Sequence, residues 1–446
     1  MRRSAALISG REVQYNESPI PAYNLAEDLR WPHEGGWIVR ILNIVQAYYP
    51  FQDAGGPVVK VRALAQALAR RGHQVSVLTA DLGLSQHIRA GMKAERSPWG
   101  WRAREDGIEI TYLPTLARYR ALTLNPRMIG FCRASLTQYD VAHFFGLYDA
   151  LGPVAGYFCR RMGIPYLIEP MGMHRPIDRS FRRKMLWHRI IGRAYFRGAA
   201  QIVATSEMER ARLIEDGVSE ERIAVRLNGV DPEANGPLPP RGSFRQKRGI
   251  PPSEPLVLFL SRLIPRKGAD LSIEAFARAC PASGRLVIAG PEGEPGYRAY
   301  LERRARECGA ESRVIFTGAL YGEEKLAALA DADLFVLPSR YENFANAPAE
   351  AMACGVPVIV SDTCGIASLL DGQAGLAIPA RTDALAEALR KLLEDEPLRA
   401  RLQSGCRRVA SQLSWETLAG QMEGYYAEAV ARNRNLAEAH SALRRA

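Results

Sequence analysis

GGPVVKVRALAQALARRGHQVSVLT (55–79), which follows the apolar stretch WIVRILNIVQ (37–46), is the part of the sequence that indicates the fold. Between the glycines and Gly72, apolar residues recur at the spacing of a helix face: Val58, Val61, Leu64, Ala65 and Leu68. Gly72 ends the helix, and QVSVLT (74–79) has the composition of a strand. Strand, glycine loop, helix and strand in this order predict a βαβ unit with two parallel strands.

The same alternation continues along the chain in two series. Strand candidates of the first series are IEITYL (108–113), DVAHFF (140–145), PYLIE (165–169) and AQIVATS (200–206). The segment DPEANGPLPPRG (231–242) is rich in proline and glycine and is typical of a linker. Strand candidates of the second series are PLVLFLS (255–261), RLVIAG (285–290), RVIFTG (313–318), DLFVLPS (333–339) and PVIVS (357–361).

Strands that are apolar almost throughout suit parallel sheets covered by helices on both faces. We therefore predict an α/β protein with two doubly wound, Rossmann-like domains that face a central cleft. The predicted divisions are an N-terminal extension of uncertain structure (1–36), a first domain (37–235), a second domain (236–415), and a C-terminal helix with a polar, frayed tail from Asn433 (416–446) that crosses back toward the first domain. Ligands of such sheets bind beyond the carboxyl ends of the strands, so the cleft is the predicted site.

Composition narrows the classes of function. The chain has 446 residues, of which 47% are hydrophobic and 24% charged, as in ordinary globular proteins. No apolar run approaches the ~20 residues of a membrane span, and residues 1–36 do not resemble a secretory signal. Seven scattered cysteines favour free thiols in a reducing cytoplasm over a disulfide framework or a zinc site. The net charge of +11 favours anionic partners.

The segment RLIPRK (262–267) with Gly268 follows a strand and precedes a helix. Arg262 and Lys267 are placed to converge on one anion at a helix N-terminus, as in a diphosphate site. Solvated loop charges are the alternative.

A second motif is YENFANAPAEAMACGVPVIVS (341–361), in which Glu342 and Glu350 are separated by seven residues. Paired carboxylates suit a polyhydroxylated ligand, because each accepts two hydroxyl hydrogen bonds. A helix that begins near Asn346 leaves backbone N–H groups of Phe344, Ala345 and Asn346 for a phosphate. An acidic helix start is the alternative.

Two weaker signals belong to the first domain. Gly55 and Gly56 allow the backbone to approach a ligand closely, or form only a tight turn. His143 ends the strand DVAHFF and is expected to point into the cleft, although a buried, hydrogen-bonded histidine is the alternative.

Two further patterns are of interest. Asp331-Ala332-Asp333 is a D-x-D pattern of the kind that binds Mn²⁺ or Mg²⁺, but it precedes its strand and so lies at the wrong end for the cleft. Residues 175–197 form a basic amphipathic segment in which Arg182, Arg189, Arg193 and Arg197 mark one stripe. Such a helix can lie on an anionic bilayer, or can be a solvated basic face.

In order along residues 37–432, these motifs resemble the GT-B glycosyltransferases of family 4, the retaining glycosyl transferases of group 1. The resemblance rests on GGPVVKVRALAQALARRGHQVSVLT, DVAHFFG, NGVD (228–231), LSRLIPRKGAD, VIFTG and the E-x7-E stretch. It departs from the family at Ala345 and Ser261, where glycine is usual.

The resemblance implies a role for each matched residue. Arg262 and Lys267 would hold the donor diphosphate, Glu342 hydroxyls of the donor sugar, and Glu350 the ribose. Asn343, Phe344, Ala345 and Asn346 would contact sugar and phosphate, Gly318 would border the base, and Gly55 and Gly56 would lie near phosphate and acceptor. His143 would contact the donor sugar near the reacting carbon, and EPMGMHRP (169–176) with the basic stripe would form acceptor-side surface.

The implied function is retaining transfer of a hexose from a nucleotide-diphosphate sugar to a glycan or lipid-linked acceptor in cell-surface polysaccharide, lipopolysaccharide or glycolipid synthesis. No metal and no other cofactor is expected, and no nucleic acid. The expected location is the cytoplasm, with peripheral contact to the anionic inner face of the membrane as a further hypothesis. Alternatives are a sugar-nucleotide epimerase of similar architecture and a non-catalytic nucleotide-sugar-binding subunit.

Overall fold

Short segments rich in Val, Ile and Leu form two sheets, one all parallel and one mainly parallel, with helices between most successive strands. The computed structural model describes residues 37–51, 56–119, 122–175, 181–230, 238–280 and 282–443. The chain divides into a short unit, Met1–Ile38, and a large one, Val39–Ala446, which contains both sheets. The predicted extension (1–36) lies outside the described residues, as does most of the linker.

The first sheet has nine strands in the order β11-β10-β9-β8-β1-β2-β5-β4-β3. Their bounds are β1 (Arg40–Val45), β2 (Gln74–Asp81), β3 (Glu95–Ser97), β4 (Gly100–Glu105), β5 (Ile108–Pro114), β8 (Val141–Phe145), β9 (Tyr166–Glu169), β10 (Gln201–Ala204) and β11 (Ile223–Val225). β1 pairs in parallel with β2 and with β8, so the strand order reverses beside β1. At one edge β4 pairs antiparallel with both β5 and β3, an arrangement that the sequence did not predict.

The second sheet has six strands, all parallel, in the order β14-β13-β12-β15-β16-β17. Their bounds are β12 (Leu256–Leu260), β13 (Arg285–Ala289), β14 (Val314–Gly318), β15 (Leu334–Leu337), β16 (Val358–Ser361) and β17 (Gly375–Ile378). The order reverses between β12 and β15. In sheets of this kind the crevice for a ligand opens at such a reversal, beyond the carboxyl ends of the strands.

Helices flank both sheets. In the first half they are α1 (Gly56–Arg70), α2 (Leu84–Arg89), α3 (Arg127–Ser135), α4 (Leu151–Met162), α5 (Phe181–Trp187), α6 (Arg193–Gly198) and α7 (Glu207–Glu215). In the second half they are α8 (Ser243–Arg248), α9 (Ala269–Ala279), α10 (Tyr297–Glu307), α11 (Gly322–Asp331), α12 (Asn346–Ala353), α13 (Ala367–Leu370), α14 (Thr382–Glu394), α15 (Glu396–Ser411) and α16 (Trp415–Leu443). Each half has its own apolar core of strand and helix side chains. The predicted fold is confirmed.

The chain crosses between the halves at two adjacent points. The Val230 N–H donates to the Leu413 carbonyl at 2.8 Å, and Val230 forms a parallel bridge with Ser414. Gly229 is required there, because a Cβ would lie 2.3 Å from the Trp415 ring. After this crossing α16 packs against α1 and β8 of the first half.

Three features differ from the sequence-based expectations. α16 extends to Leu443, whereas a frayed tail was predicted from Asn433. A small hairpin of β6 (Ala117–Tyr119) and β7 (Leu122–Leu124), which was not predicted, stands apart from the large sheets. The predicted basic helix contains a π-helical turn at His188–Gly192 between α5 and α6.

The seven cysteines all lie within the described residues and are free thiols. No helix among the described residues combines the length and the apolar character that crossing a membrane requires.

Candidate active site

The predicted cation loop after β12 packs directly against the loop after β15. Gly268 allows this packing, because its φ of 75° is left-handed and a Cβ there would lie 2.2 Å from the Pro338 carbonyl oxygen. The Arg340 N–H also donates to the Arg266 carbonyl at 2.8 Å. The two motifs that the sequence singled out in the second domain therefore meet at the carboxyl ends of β12 and β15.

Lys267 and Glu342 form an ion pair between these loops. The side chain of Lys267 is 12% exposed and that of Glu342 is 21% exposed. Burial, and then the positive charges of Arg266 and Arg262, lower the pKa of Lys267 to about 8. An arriving diphosphate would relieve this crowding of cations, so the pair is poised for an anionic ligand.

Arg262 is exposed, and it forms no ion pair with a carboxylate in the part of the chain that the structure describes. Its positive charge contributes to the lowered pKa of Lys267. The two predicted cations thus act on one region of space, and one of them keeps its hydrogen-bonding capacity for a ligand.

Helix α12 begins at Asn346, where the sequence predicted it. Ala345 precedes it with φ 86° and ψ 91°, a left-handed conformation that is unusual for a residue with a Cβ. Phe344 is buried and its carbonyl accepts from the Ile366 N–H at 3.0 Å. Among the described residues, the N–H groups of Ala345 and Asn346 have no backbone acceptor, as expected at a helix start.

Asn343 was predicted to contact the donor, but the structure engages its side-chain amide with the first half of the chain. Its Nδ2 donates to Thr205 Oγ1 at 2.5 Å and to Glu209 Oε2 at 3.0 Å. Gly172 packs onto the same side chain, at 2.8 Å from an ideal Cβ. Asn343 therefore joins the two domains across the cleft in this conformation.

Glu350 lies in α12 and lines a cavity of about 440 Å³ between the two halves. Its Oε1 accepts from Lys325 Nζ of α11 at 3.1 Å. Tyr321, which is 72% exposed, lines the same cavity. Gly318 ends β14 with φ 74° and has open space where a Cβ would stand, three residues before Tyr321.

Gly56 begins α1 and lies across the cleft from Asn346: an ideal Cβ on Gly56 would be 3.8 Å from Asn346 Nδ2. Asn346 Oδ1 also accepts from Asn228 Nδ2 at 2.9 Å. The structure thus brings the predicted Gly56 to the start of α12. Gly55 lies outside the described residues.

His143 does not face an open cleft, contrary to expectation. Its side chain is fully buried in β8, where Nδ1 lies 2.9 Å from the Tyr426 hydroxyl and Nε2 lies 3.8 Å from Glu169 Oε2. Burial lowers the pKa of His143 to about 3, although Glu169 opposes the shift. The imidazole is therefore neutral at pH 7 and positions α16, because Tyr426 comes from that helix.

A buried charge cluster beside His143 was missed by sequence reasoning. Glu169 is fully buried and pairs with both Lys60 of α1 and Arg226, which are themselves buried. Burial opposes ionisation of Glu169, but the charges of Arg226 and Lys60 outweigh it and hold its pKa low. The one sequence feature that could have indicated this cluster is Lys60, which lies among the apolar residues on the buried face of α1.

The D-x-D carboxylates bind the start of α8 and its neighbours, away from the cleft. Asp331 accepts from the Gly242 and Arg245 N–H groups, and Asp333 pairs with Arg241 and Arg245. Within the described residues, no three His, Cys, Asp or Glu side chains cluster as metal ligands.

The site therefore combines two cations, two carboxylates and a helix start at the carboxyl ends of the strands. Of these groups, Glu350 and Asn346 at the helix start line the cavity between the two Rossmann-like halves. Such a set can bind an anion and hydroxyl groups side by side. This is the class of protein that the fold and site define: a two-domain α/β protein with a ligand cleft at facing strand ends.

Comparisons with known proteins narrow the class to one family. The family described as "Glycosyl transferases group 1" matches residues 240–409, and the "Glycosyl transferase 4-like domain" matches residues 55–229. The chain is 29% identical to a D-inositol 3-phosphate glycosyltransferase of Xylanimonas cellulosilytica over 403 residues, covering 85% of this chain and 93% of the relative. It is 30% identical to the protein of that name from Corynebacterium aurimucosum over 396 residues, covering 85% and 92%.

Among solved structures, HepE of Anabaena in complex with UDP matches with a TM-score of 0.70 at 22% identity, covering 87% of this chain and all of that one. The chain belongs to the GT-B glycosyltransferases of group 1, family 4. The family assignment made from motif order is confirmed.

Proposed function

We propose that this glycosyltransferase retains the anomeric configuration and moves a hexose from a nucleotide-diphosphate sugar to a hydroxyl of a glycan or lipid-linked acceptor. The observation that carries the proposal is the meeting of Lys267, Glu342 and the start of α12 at the carboxyl ends of β12 and β15. The UDP bound to the Anabaena neighbour supports a nucleotide ligand.

Each part of the donor has a chemically matched partner. Lys267, Arg262 and the N–H groups at the start of α12 suit the diphosphate, since cations and helix N-termini both bind phosphate. Glu342, which pairs with Lys267, accepts hydrogen bonds from hydroxyls of the donor sugar. Glu350 accepts ribose hydroxyls at the wall of the cavity, and Gly318 leaves room for the base beside Tyr321.

The reaction breaks the bond between the sugar's anomeric carbon and the diphosphate oxygen, and forms a bond from that carbon to the acceptor oxygen. Negative charge develops on the leaving diphosphate, where Lys267, Arg262 and the helix start stabilise it. The acceptor oxygen attacks the anomeric carbon on the face from which the diphosphate departs, so the configuration is preserved. The acceptor proton passes to the departing phosphate oxygen. In this scheme the chain's own cations carry the charge and no metal is required.

The acceptor side is formed by the first half of the chain, including Gly56 and the segment 169–175. Cell-surface polysaccharide, lipopolysaccharide or glycolipid synthesis is the proposed setting, at the cytoplasmic face of the membrane. The net charge of +11 supports contact with an anionic bilayer.

The test is hydrolysis and binding of a panel of nucleotide sugars without acceptor, with and without chelator. We expect one donor to be hydrolysed slowly and equally in both conditions. Lys267→Ala and Glu342→Ala should each lower turnover by about 100-fold or more, as removal of a single transition-state donor does. Lys391→Ala, an exposed substitution on α14, is the matched control and should have no effect.

Circular dichroism and thermal unfolding establish that the variants fold. Near-wild-type turnover in Lys267→Ala or Glu342→Ala overturns the site assignment. An epimerised sugar nucleotide among the products would assign the protein to the epimerases instead. Binding of a donor with neither hydrolysis nor transfer would favour a non-catalytic nucleotide-sugar-binding subunit.

A further inference from the structure

The basic segment and the unpredicted hairpin form one continuous surface on the first half of the chain. Arg183 of α5 donates from Nη1 to the Tyr119 hydroxyl of β6 at 2.8 Å, and its guanidinium lies 5.8 Å from the centre of that ring. We call the exposed face of residues 182–197 together with residues 116–119 and 122–124 the amphipathic surface.

Large apolar side chains stand out from this surface. Ile190 is 67% exposed, in the π-helical turn between α5 and α6. The others are Met185 at 48%, Leu186 at 56%, Leu116 at 73% and Leu122 at 44%. Soluble proteins rarely group exposed aliphatic side chains in this way unless the patch meets a partner.

Arginines of the same helical segment lie beside Met185 and Leu186. Arg182, Arg189, Arg193 and Arg197 are all exposed, and none forms an ion pair with a carboxylate in the described part of the chain. All four, with Arg222, line a groove of about 700 Å³ between this helical segment and the end of α7.

An acid also lines the groove, but its charge is already balanced. Asp216 pairs with Arg175 Nη2 at 2.8 Å and lies 3.3 Å from His174 Nε2. The groove therefore keeps a strong excess of positive charge over a floor that includes Phe196 and Ile202. Phosphate groups fit the guanidinium groups, because arginine binds them through two parallel hydrogen bonds.

We propose that the amphipathic surface binds an anionic phospholipid bilayer, with its aliphatic side chains in the headgroup–acyl boundary and a phosphate headgroup in the arginine-lined groove. This inference rests on the proposed membrane contact and names the residues that make it. A nucleic acid would bind the arginines, but it provides no apolar environment for the exposed side chains of Ile190, Met185 and Leu186. A bilayer uses both sets of side chains.

The experiment is flotation of the full-length protein with vesicles of phosphatidylcholine alone or mixed with phosphatidylglycerol. Wild type should bind only the mixed vesicles at low salt. The triple variant Arg182→Glu/Arg189→Glu/Arg193→Glu should bind about 100-fold or more weakly, since each basic residue near an anionic surface contributes about fivefold. Met185→Ser/Leu186→Ser/Ile190→Ser should weaken the binding that persists at high salt, where charge is screened.

Arg390→Glu/Arg407→Glu/Arg408→Glu is the matched control, because it changes the same net charge at exposed positions of α14 and α15. It should float like wild type. Binding of UDP, or of the nucleotide found by the donor panel, is measured in parallel and should be unchanged in all three variants.

Equal flotation of the Arg182/Arg189/Arg193 variant and the control, or no flotation of wild type at low salt, overturns the inference. Tight binding of duplex DNA at physiological salt without vesicle binding would assign the surface to nucleic acid instead. Absence of nucleotide binding in the wild type would contradict the proposed function. The flotation result would still test membrane binding independently.

Discussion

At the level of single residues, Lys267 titrates in the range in which enzymes are assayed, because burial and two neighbouring arginines lower its pKa to about 8. Below that pH the ammonium is charged and can hold a diphosphate; above it the free protein must first take up a proton. We therefore expect the Kd for the nucleoside diphosphate to rise by up to about tenfold per pH unit above pH 8.

Titration calorimetry from about pH 7 to about pH 9.5 measures this slope. Lys267→Arg should remove it, because a guanidinium does not titrate in this range. A Kd for wild type that stays constant across the range would contradict the assignment of Lys267 to the diphosphate.

Ala345 is a second residue at which local conformation makes a measurable prediction. Its φ of 86° belongs to a region that costs a residue with a Cβ about 1–2 kcal/mol. Glycine avoids that cost, but it loses more conformational freedom on folding than alanine does, which lowers the free energy of unfolding by about 0.5–1 kcal/mol. Ala345→Gly should therefore leave the free energy of unfolding unchanged or raise it by up to about 1 kcal/mol.

Urea unfolding provides the measurement, and Ala349→Gly in the middle of α12 is the matched control. That substitution should lower stability by about 1 kcal/mol. Equal destabilisation by both substitutions would show that Ala345 is not held in the left-handed conformation in solution.

Among the elements, α16 attaches to the first half of the chain through contacts of very different burial. Tyr426 is fully buried and its hydroxyl meets His143 Nδ1 at 2.9 Å. Tyr425, its neighbour, donates to the Val225 carbonyl at 2.9 Å in a half-buried position. Tyr426→Phe leaves the buried imidazole without its partner, so we expect a loss of about 1–3 kcal/mol of unfolding free energy.

Tyr425→Phe removes a hydrogen bond of the same length, but water can reach its acceptor more easily. Its expected cost is about 1 kcal/mol or less. Guanidinium unfolding of the two variants measures both losses of unfolding free energy. Equal losses would mean that the His143–Tyr426 contact does not anchor α16.

The same elements show how far sequence reasoning reaches. The cation loop, the start of α12 and the parallel strands were predicted, because each depends on residues close together in the chain. The burial of His143 was not, since it depends on Tyr426 at the far end of the sequence. The contacts of the Asn343 amide were missed for the same reason. Its motif is local, but its partners Thr205 and Glu209 belong to the other domain.

For the whole molecule, polar side chains at the cleft are among the contacts that join the two halves. Asn343 joins the loop after β15 to Thr205 and Glu209, and Asn228 joins Asn346. These bonds link the donor-side loop to the first half of the chain. Removing the Asn343 amide should therefore weaken the contact between the two halves, while the cations of the second half stay in place.

We expect Asn343→Ala to increase the radius of gyration of the unliganded protein in small-angle X-ray scattering and to raise the donor KM several-fold. Asn433→Ala is the matched control, because it deletes an amide that binds the Gly163 carbonyl at 2.6 Å away from the cleft. Saturating nucleotide should restore the compact radius of Asn343→Ala, since ligand bound by both halves favours closure by mass action. If Asn343→Ala and Asn433→Ala scatter alike and share the wild-type KM, the contacts of Asn343 accompany closure without stabilising it.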